Sequence, residues 1–249
     1  MIKAITFDLW DTVFIDDSDE PKRKAAGRLP KKEERRHLVH CYAGKYKNIS
    51  RELVNYIYDT ADAAYKKAWK DQHVTWTVKE RLDIIFRGIG INLPQAEMEE
   101  IVKLHEEMEL EFRPDFIPGV GDALKELYGK YKLGVISDTI FSPGRVLRQL
   151  LDGEGLLQYF DHFVFSDETG RAKPEPVVFE SACINLGVKP HEIAHVGDRE
   201  SNDIAGPKKF GMNAILCTAS VDRGSNKTQA DAIFKEYRDL PRIIESLNK

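Results

Sequence analysis

IKAITFDLWDT, residues 2–12, decides how the rest of the chain is read. The run Ile2–Phe7 is short, apolar and rich in β-formers, and it stops at polar residues, so it reads as a buried strand feeding a loop. Directly after it stand two aspartates three positions apart, Asp8 and Asp11, with Trp10 between them.

Punctuated runs of the same kind recur as KLGVIS (132–137), FDHFVFS (160–166), EIAHVG (192–197) and NAILCT (213–218). Helical patterns lie between them, VGDALKELYGKY, SPGRVLRQLLD, PEPVVFESACINLG and SNDIAGPKKFG, each closing near a glycine or a polar turn. Strands alternating with helices imply right-handed crossovers, hence an α/β fold with a doubly wound, mostly parallel, Rossmann-like sheet. A last strand at 232–234 and a helix at 240–247 finish it. Residues 16–114 break this rhythm with long 3.6-residue periods: ISRELVNYIYDTADAAYKKAWK, VKERLDIIFRGIGI and PQAEMEEIVKLHEEMELEF are amphipathic helices. The expectation is an all-helical insertion, residues 16–114, within a core of residues 1–15 and 115–249. Its first stretch, DDSDEPKRKAAGRLPKKEERR, with two prolines and mixed charge, reads as a mobile hinge.

A chain of 249 residues can bury one large core plus a smaller companion. Charged residues make up 31%, yet the net charge is -4, so no excess of positive charge is available for nucleic acid or an anionic membrane. The expected partner is a small molecule. Cys41, Cys183 and Cys217 are odd in number and far apart, which fits neither a disulfide framework nor a zinc site. With no signal pattern before Phe7 and no apolar run of spanning length, the expectation is a cytoplasmic protein.

In an open parallel sheet, ligands bind at the carboxyl ends of the strands. The first strand delivers Asp8 and Asp11 there, the second Ser137, Asp138 and Thr139, the third the loop GRAKPEP with Lys173, and the fourth GDRESND with Asp198, Asn202 and Asp203. Carboxylates gathered so closely need positive charge between them, because like charges a few ångströms apart push pKa values upward. Oxygen ligands without His or Cys favour Mg²⁺, which leaves room for a substrate phosphate. A lysine beside that ion, with hydroxyls and loop amides opposite, makes a site for a tetrahedral dianion. Phosphoryl transfer is the chemistry suggested.

Asp8 after the first strand, Ser137 after LGVI, Lys173 in KPEP and the stretch GDRESNDIAG stand in the order and spacing of four motifs. Together they resemble the haloacid-dehalogenase-like hydrolase superfamily, over the whole sheet portion, with the helical insertion placed like that family's cap. The resemblance implies a nucleophilic Asp8 that becomes an aspartyl-phosphate, later hydrolysed by water. It implies that Ser137 hydrogen-bonds the phosphoryl oxygens and that Lys173 steadies the nucleophile and the transferred charge; Asp138 and Thr139, delivered by the same strand as Ser137, are expected with them in the substrate pocket. It implies that Asp8, Asp198, Asp203 and the Trp10 backbone carbonyl hold Mg²⁺. The implied substrate is a small phosphorylated metabolite.

Trp10 departs from the pattern, since the family's phosphatases carry an acid/base aspartate there, and an indole cannot protonate an alkoxide. Either Asp11 serves as a displaced acid and base, or the acid is absent and only good leaving groups depart quickly. The second reading is favoured, because a one-residue shift along an extended chain reverses a side chain's direction. A metal-independent 2-haloacid dehalogenase also lacks that acid, and a binding protein of the same fold is the non-catalytic alternative. The Gly-Asp start of GDRESND favours the metal-dependent phosphatase. Elsewhere His195 reads as an ordinary buried strand residue and Glu200 and Asn202 as helix caps. Arg171 reads as a partner for the acidic rim, and Trp69, Trp76 and Phe86 as insertion core. Arg35, Arg36, His37, His40, Tyr42, Lys45 and Lys47 read as a solvated helix face.

Overall fold

The computed structural model describes residues 1–248. Six parallel strands form the sheet: β1 (Ala4–Phe7), β2 (Lys132–Ser137), β3 (His162–Phe165), β4 (Ile193–Gly197), β5 (Asn213–Cys217) and β6 (Ala232–Phe234), in the spatial order β3-β2-β1-β4-β5-β6. The sheet is wholly parallel, beyond the expected mostly parallel one. Its strands read as near-continuous apolar runs because both faces are covered. Chain order reverses on either side of β1, so the crevice at its carboxyl end is the switch point where such sheets bind ligands.

Between β1 and β2 run seven helices: α1 (Glu20–Ala25), α2 (Lys31–Gly44), α3 (Arg51–Gln72), α4 (Val78–Ile89), α5 (Gln95–Glu106), α6 (Met108–Glu111) and α7 (Val120–Leu127). The remainder are α8 (Gly144–Gly153), α9 (Ser166–Thr169), α10 (Pro176–Leu186), α11 (Gly206–Phe210) and α12 (Leu240–Ser246). Local chemistry marks their ends. Thr77 and Glu80 form a reciprocal capping box at the start of α4, and Gly90 closes it in the left-handed region at φ 79°. Ser50 caps α3 through the Leu53 amide.

Strand alternation sorts the core. Ile5 and Phe7 of β1, with Leu133, Val135, Ala194 and Val196, bury one face under α7, α8 and α12. The opposite face, with Ala4 and Ile136, packs under Phe179 and Leu186 of α10. A separate apolar cluster holds α2 to α5 together through Val39, Val54, Leu82, Phe86 and Ile101.

The stretch expected to be a mobile hinge is folded. It forms α1 and the start of α2, with Arg23 fully buried and Lys31 5% exposed. Lys31 Nζ sits 2.7 Å from Asp19 and 3.2 Å from Glu109, so the two prolines and the charges serve a buried ion-pair network. Prolines are tolerated there because one stands in the first turn of α1 and the other directly precedes α2.

Candidate active site

The loop after β1, the end of β2, the segment before α10 and the loop after β4 converge on Lys173. Its ammonium, 3% exposed as a residue, lies 2.8 Å from Asp8 Oδ1, 2.6 Å from Asp203 Oδ1 and 2.9 Å from the Ile136 carbonyl. Burial works against its charge, but Asp203, Asp8 and Asp138 outweigh that and hold it above the ordinary lysine range. Both oxygens of Asp203 are engaged. Oδ1 also accepts from His195 Nε2 at 3.2 Å and Oδ2 from the Arg199 amide at 2.9 Å. Despite its burial, Lys173 and His195 hold its carboxyl below the usual range.

His195 is buried as expected, yet it is more than filler. Burial lowers its pKa and keeps it neutral, so Nε2 donates to Asp203 and Nδ1, 2.9 Å from Thr6 Oγ1, accepts. The two residues are register partners on β1 and β4, which places the serial contact under the site. Gly197 makes the approach possible: a Cβ there would stand 2.4 Å from Asp203 Cβ.

Asp198 is the residue left wanting. It is 1% exposed, Oδ2 accepts from Arg223 Nε, and Oδ1 has no partner. Burial, then Asp8 and Asp203, push its pKa up to about 7. Carboxylate oxygens of Asp8, Asp198 and Asp203 lie within 4.8 Å of one another, all buried. An orphaned, buried acid oxygen beside two other carboxylates fits a hard divalent cation, and the oxygen-only donor set suits Mg²⁺. Ser137 Oγ, likewise buried, has no partner either.

A cavity of about 280 Å³ opens over Asp8, Lys173 and Asp203, and Trp10, Asp138, Asn202 and Arg199 line it. Asp138 accepts from the Lys173 amide at 2.9 Å and from Asn202 Nδ2 at 3.0 Å, and burial raises it to about 6. Asn202 is thus a bracket between two loops, and Glu200 accepts from Thr228 and Gln229, so neither caps a helix as expected. The segment Glu200–Ala205 is a π-helix that continues into α11, in place of the single regular helix read from the sequence. Thr139 does not reach this cavity. Its hydroxyl is 3.1 Å from Ser166 Oγ and donates to Asp167 at 3.0 Å, because the chain turns at the end of β2 toward α9.

Asp11 also points elsewhere. At φ 55°, its carboxylate accepts from Ser220 Oγ at 2.7 Å and from Arg223 Nη2 at 2.6 Å, and it does not line the cavity. Arg223 therefore joins Asp11 to Asp198, and sequence reading missed it. The signal was available, since the loop after the fifth strand also ends at the ligand-binding edge. Asp16 and Asp17, which follow Asp11 on the same loop, do line the cavity, and burial, with Asp17 and Asp11, raises Asp16.

The helical insertion supplies the far wall. Lys31, Arg35, Trp69 and Glu109 line the same cavity as Asp8. Arg35, expected on a solvated face, is 6% exposed and stacks 3.6 Å from the Phe141 ring centroid; Trp69, expected in the insertion core, faces the cavity instead. Both depart from helical periodicity for one reason: the insertion packs two faces, one on itself and one on the sheet portion. Arg171 lies exposed beside Gln72 without an acidic partner among the described residues.

A family profile described as haloacid dehalogenase-like hydrolase matches residues 2–211. A glyceraldehyde 3-phosphate phosphatase of Methanopyrus kandleri is 31% identical over 222 residues, covering 86% of this chain and 83% of the relative. One of the same name from Pyrococcus furiosus is 33% identical over 141 residues, and that match spans only 55% of the relative's length. Among solved structures, a 2-haloacid dehalogenase from Pseudomonas syringae pv. Tomato DC3000 superposes with a TM-score of 0.71 at 23% identity over 99% of both chains, a likeness of fold alone. The matched pattern runs from β1 past the loop that carries Asp203, and the chain belongs to the haloacid dehalogenase-like hydrolases.

Proposed function

We propose that this chain is a Mg²⁺-dependent phosphatase that hydrolyses a small phosphomonoester through an aspartyl-phosphate on Asp8. The observation that carries this is the buried cluster Asp8, Asp198 and Asp203, in which Asp198 keeps an oxygen without a partner. A reaction that needed no cation would have little use for a third carboxylate there. Asp8, Asp198, Asp203 and the Trp10 carbonyl would hold the ion, which offsets the charge of the phosphate and of the attacking carboxylate when bound.

The chain's own groups supply the rest. Lys173 fixes Asp8 through Oδ1, and Oδ2, which accepts no side-chain hydrogen bond among the described residues, attacks phosphorus. Ser137 Oγ donates to a phosphoryl oxygen, and Lys173 stands by the charge that develops. Asp203 holds Lys173 in place and is braced by His195 and the Arg199 amide. Residues 16–114 act as the cap that covers the reacting phosphate and keeps bulk water out. Asp11, tied to Arg223 and Ser220, is not the proton donor to the leaving oxygen; Asp16, which follows on the same loop, lines the cavity and is raised by burial, is the candidate acid in its place. The phosphatase names of the two relatives support the same chemistry.

The test is hydrolysis of p-nitrophenyl phosphate with Mg²⁺ and with EDTA, beside chloride release from 2-chloropropionate. Phosphate release that disappears in EDTA and in Asp8→Asn is expected. Chloride release indifferent to EDTA would instead identify a dehalogenase, and silence in both assays a binding protein.

A further inference from the structure

A second cavity, about 400 Å³, lies next to the first, between the helical insertion and the loop that follows β2. The two share a wall made of Arg35, Trp69, Ile140 and Phe141. Phe141 is clasped between guanidinium groups, Arg35 at 3.6 Å and Arg81 at 4.0 Å from its ring centroid, so the wall is rigid as well as cationic.

Charge in this second cavity is lopsided. Lys32, Lys66 and Lys70 line it and take part in no ion pair among the described residues. The carboxylate lining it is Asp62, already bonded by Arg81 at 2.7 Å. Lys66 and Lys70 are four apart on α3, hence on one helix face. Like charges converge there without compensation from the protein.

The buried donors point the same way. Arg35, Tyr65 and Trp69 all line the cavity, and Arg35 Nε, Tyr65 Oη and Trp69 Nε1 are buried without a hydrogen-bond partner. Arg35 and Tyr65 are 6% and 2% exposed, and the acid nearest Arg35, Glu109, stands 3.7 Å away. A buried donor left without an acceptor is costly, so three on residues around one cavity imply a ligand rich in acceptor oxygens.

We propose that this cavity is a subsite for a second anionic group, phosphate or carboxylate, carried by the same substrate at the end remote from the reacting phosphate. The inference rests on the phosphatase reading only for which end reacts. Arg35 and Trp69, where the two cavities meet, and Tyr65 within the second receive the remote oxygens, and Lys66 and Lys70 neutralise the charge from the open side. Glyceraldehyde 3-phosphate, the compound in the relatives' names, has no such group and is expected to be a poor substrate.

The experiment is calorimetric titration of the whole chain, in Mg²⁺, with alkane-1,n-diphosphonates of three to six carbons and with the matched monophosphonates. At least one diphosphonate is expected to bind fivefold or more tightly than its monophosphonate. Lys66→Glu/Lys70→Glu, two exposed changes, is expected to erase that preference and leave monophosphonate binding unchanged. A preference below fivefold at every length, or one that survives the charge reversal, overturns the proposal. Two monophosphonates bound per chain would also overturn it, by revealing an independent anion site. Loss of p-nitrophenyl phosphate turnover with the diphosphonate preference intact would sink the phosphatase reading and leave the subsite standing.

Discussion

Replacing Lys173 by methionine keeps the length of the side chain and removes the charge that two buried carboxylates share. At 2.8 Å from Asp8 and 2.6 Å from Asp203, each contact is worth about 6 kcal/mol of Coulomb energy at an effective dielectric near 20. Most of that offsets the desolvation of three buried ions, so the expected loss is the one for breaking a buried pair, about 3–5 kcal/mol. The loss should depend on pH. Lys173 is the main charge that holds the buried Asp203 carboxyl below its usual range, so without it burial favours protonation of the folded form, the variant gains stability relative to wild type as pH falls, and the deficit is smaller at pH 5 than at pH 8. Urea unfolding followed by circular dichroism at both pH values, in EDTA, measures this. Adding Asp8→Asn to the variant should recover part of the deficit, since one unpaired carboxylate disappears. A single-variant loss under about 1 kcal/mol at pH 8, or no recovery in the double variant, would show that Lys173 is not the counter-charge of this cluster.

Asp11→Asn should leave the ratio of alkyl to aryl phosphate turnover unchanged, whereas Asp16→Asn should lower alkyl phosphate turnover by about 10²-fold and spare aryl phosphates; steady-state kinetics on the two substrate types decides. His105 is fully buried, with Nδ1 2.8 Å from the Ile101 carbonyl, and burial, helped by Arg35, lowers its pKa to about 3. Because its folded pKa lies below the unfolded value of about 6.5, its neutral form contributes stability that is complete above pH 6.5 and lost as pH falls toward 3, about 2 kcal/mol by pH 5. His105→Phe should reduce the pH 7 to pH 5 loss of stability by about that amount in urea titrations.

How much could be read in advance follows from what each signal depends on. Parallel strands buried on both faces announce themselves as apolar runs, and the reversal of chain order around β1 then locates the crevice, so Asp8, Ser137, Lys173, Asp198 and Asp203 were legible as a set. Side-chain direction was harder. Asp11 is turned by a positive φ that its sequence context does not display, and Thr139 is drawn toward Ser166 and Asp167 by a turn at the end of β2. Arg223 is contributed from more than two hundred residues away in sequence, on a loop without a motif of its own. Arg35 and Trp69 escaped because helical periodicity identifies a buried face without saying whether the neighbour is the insertion itself or the sheet portion.

At Gly197, where the chain leaves β4, any side chain would drive a carbon to within 2.4 Å of the next carboxylate-bearing segment. That spot has no neighbours in sequence space. In a saturation library selected for turnover, a single codon family should survive there, and the alanine clone, harmless in most loops, should be among the first to vanish.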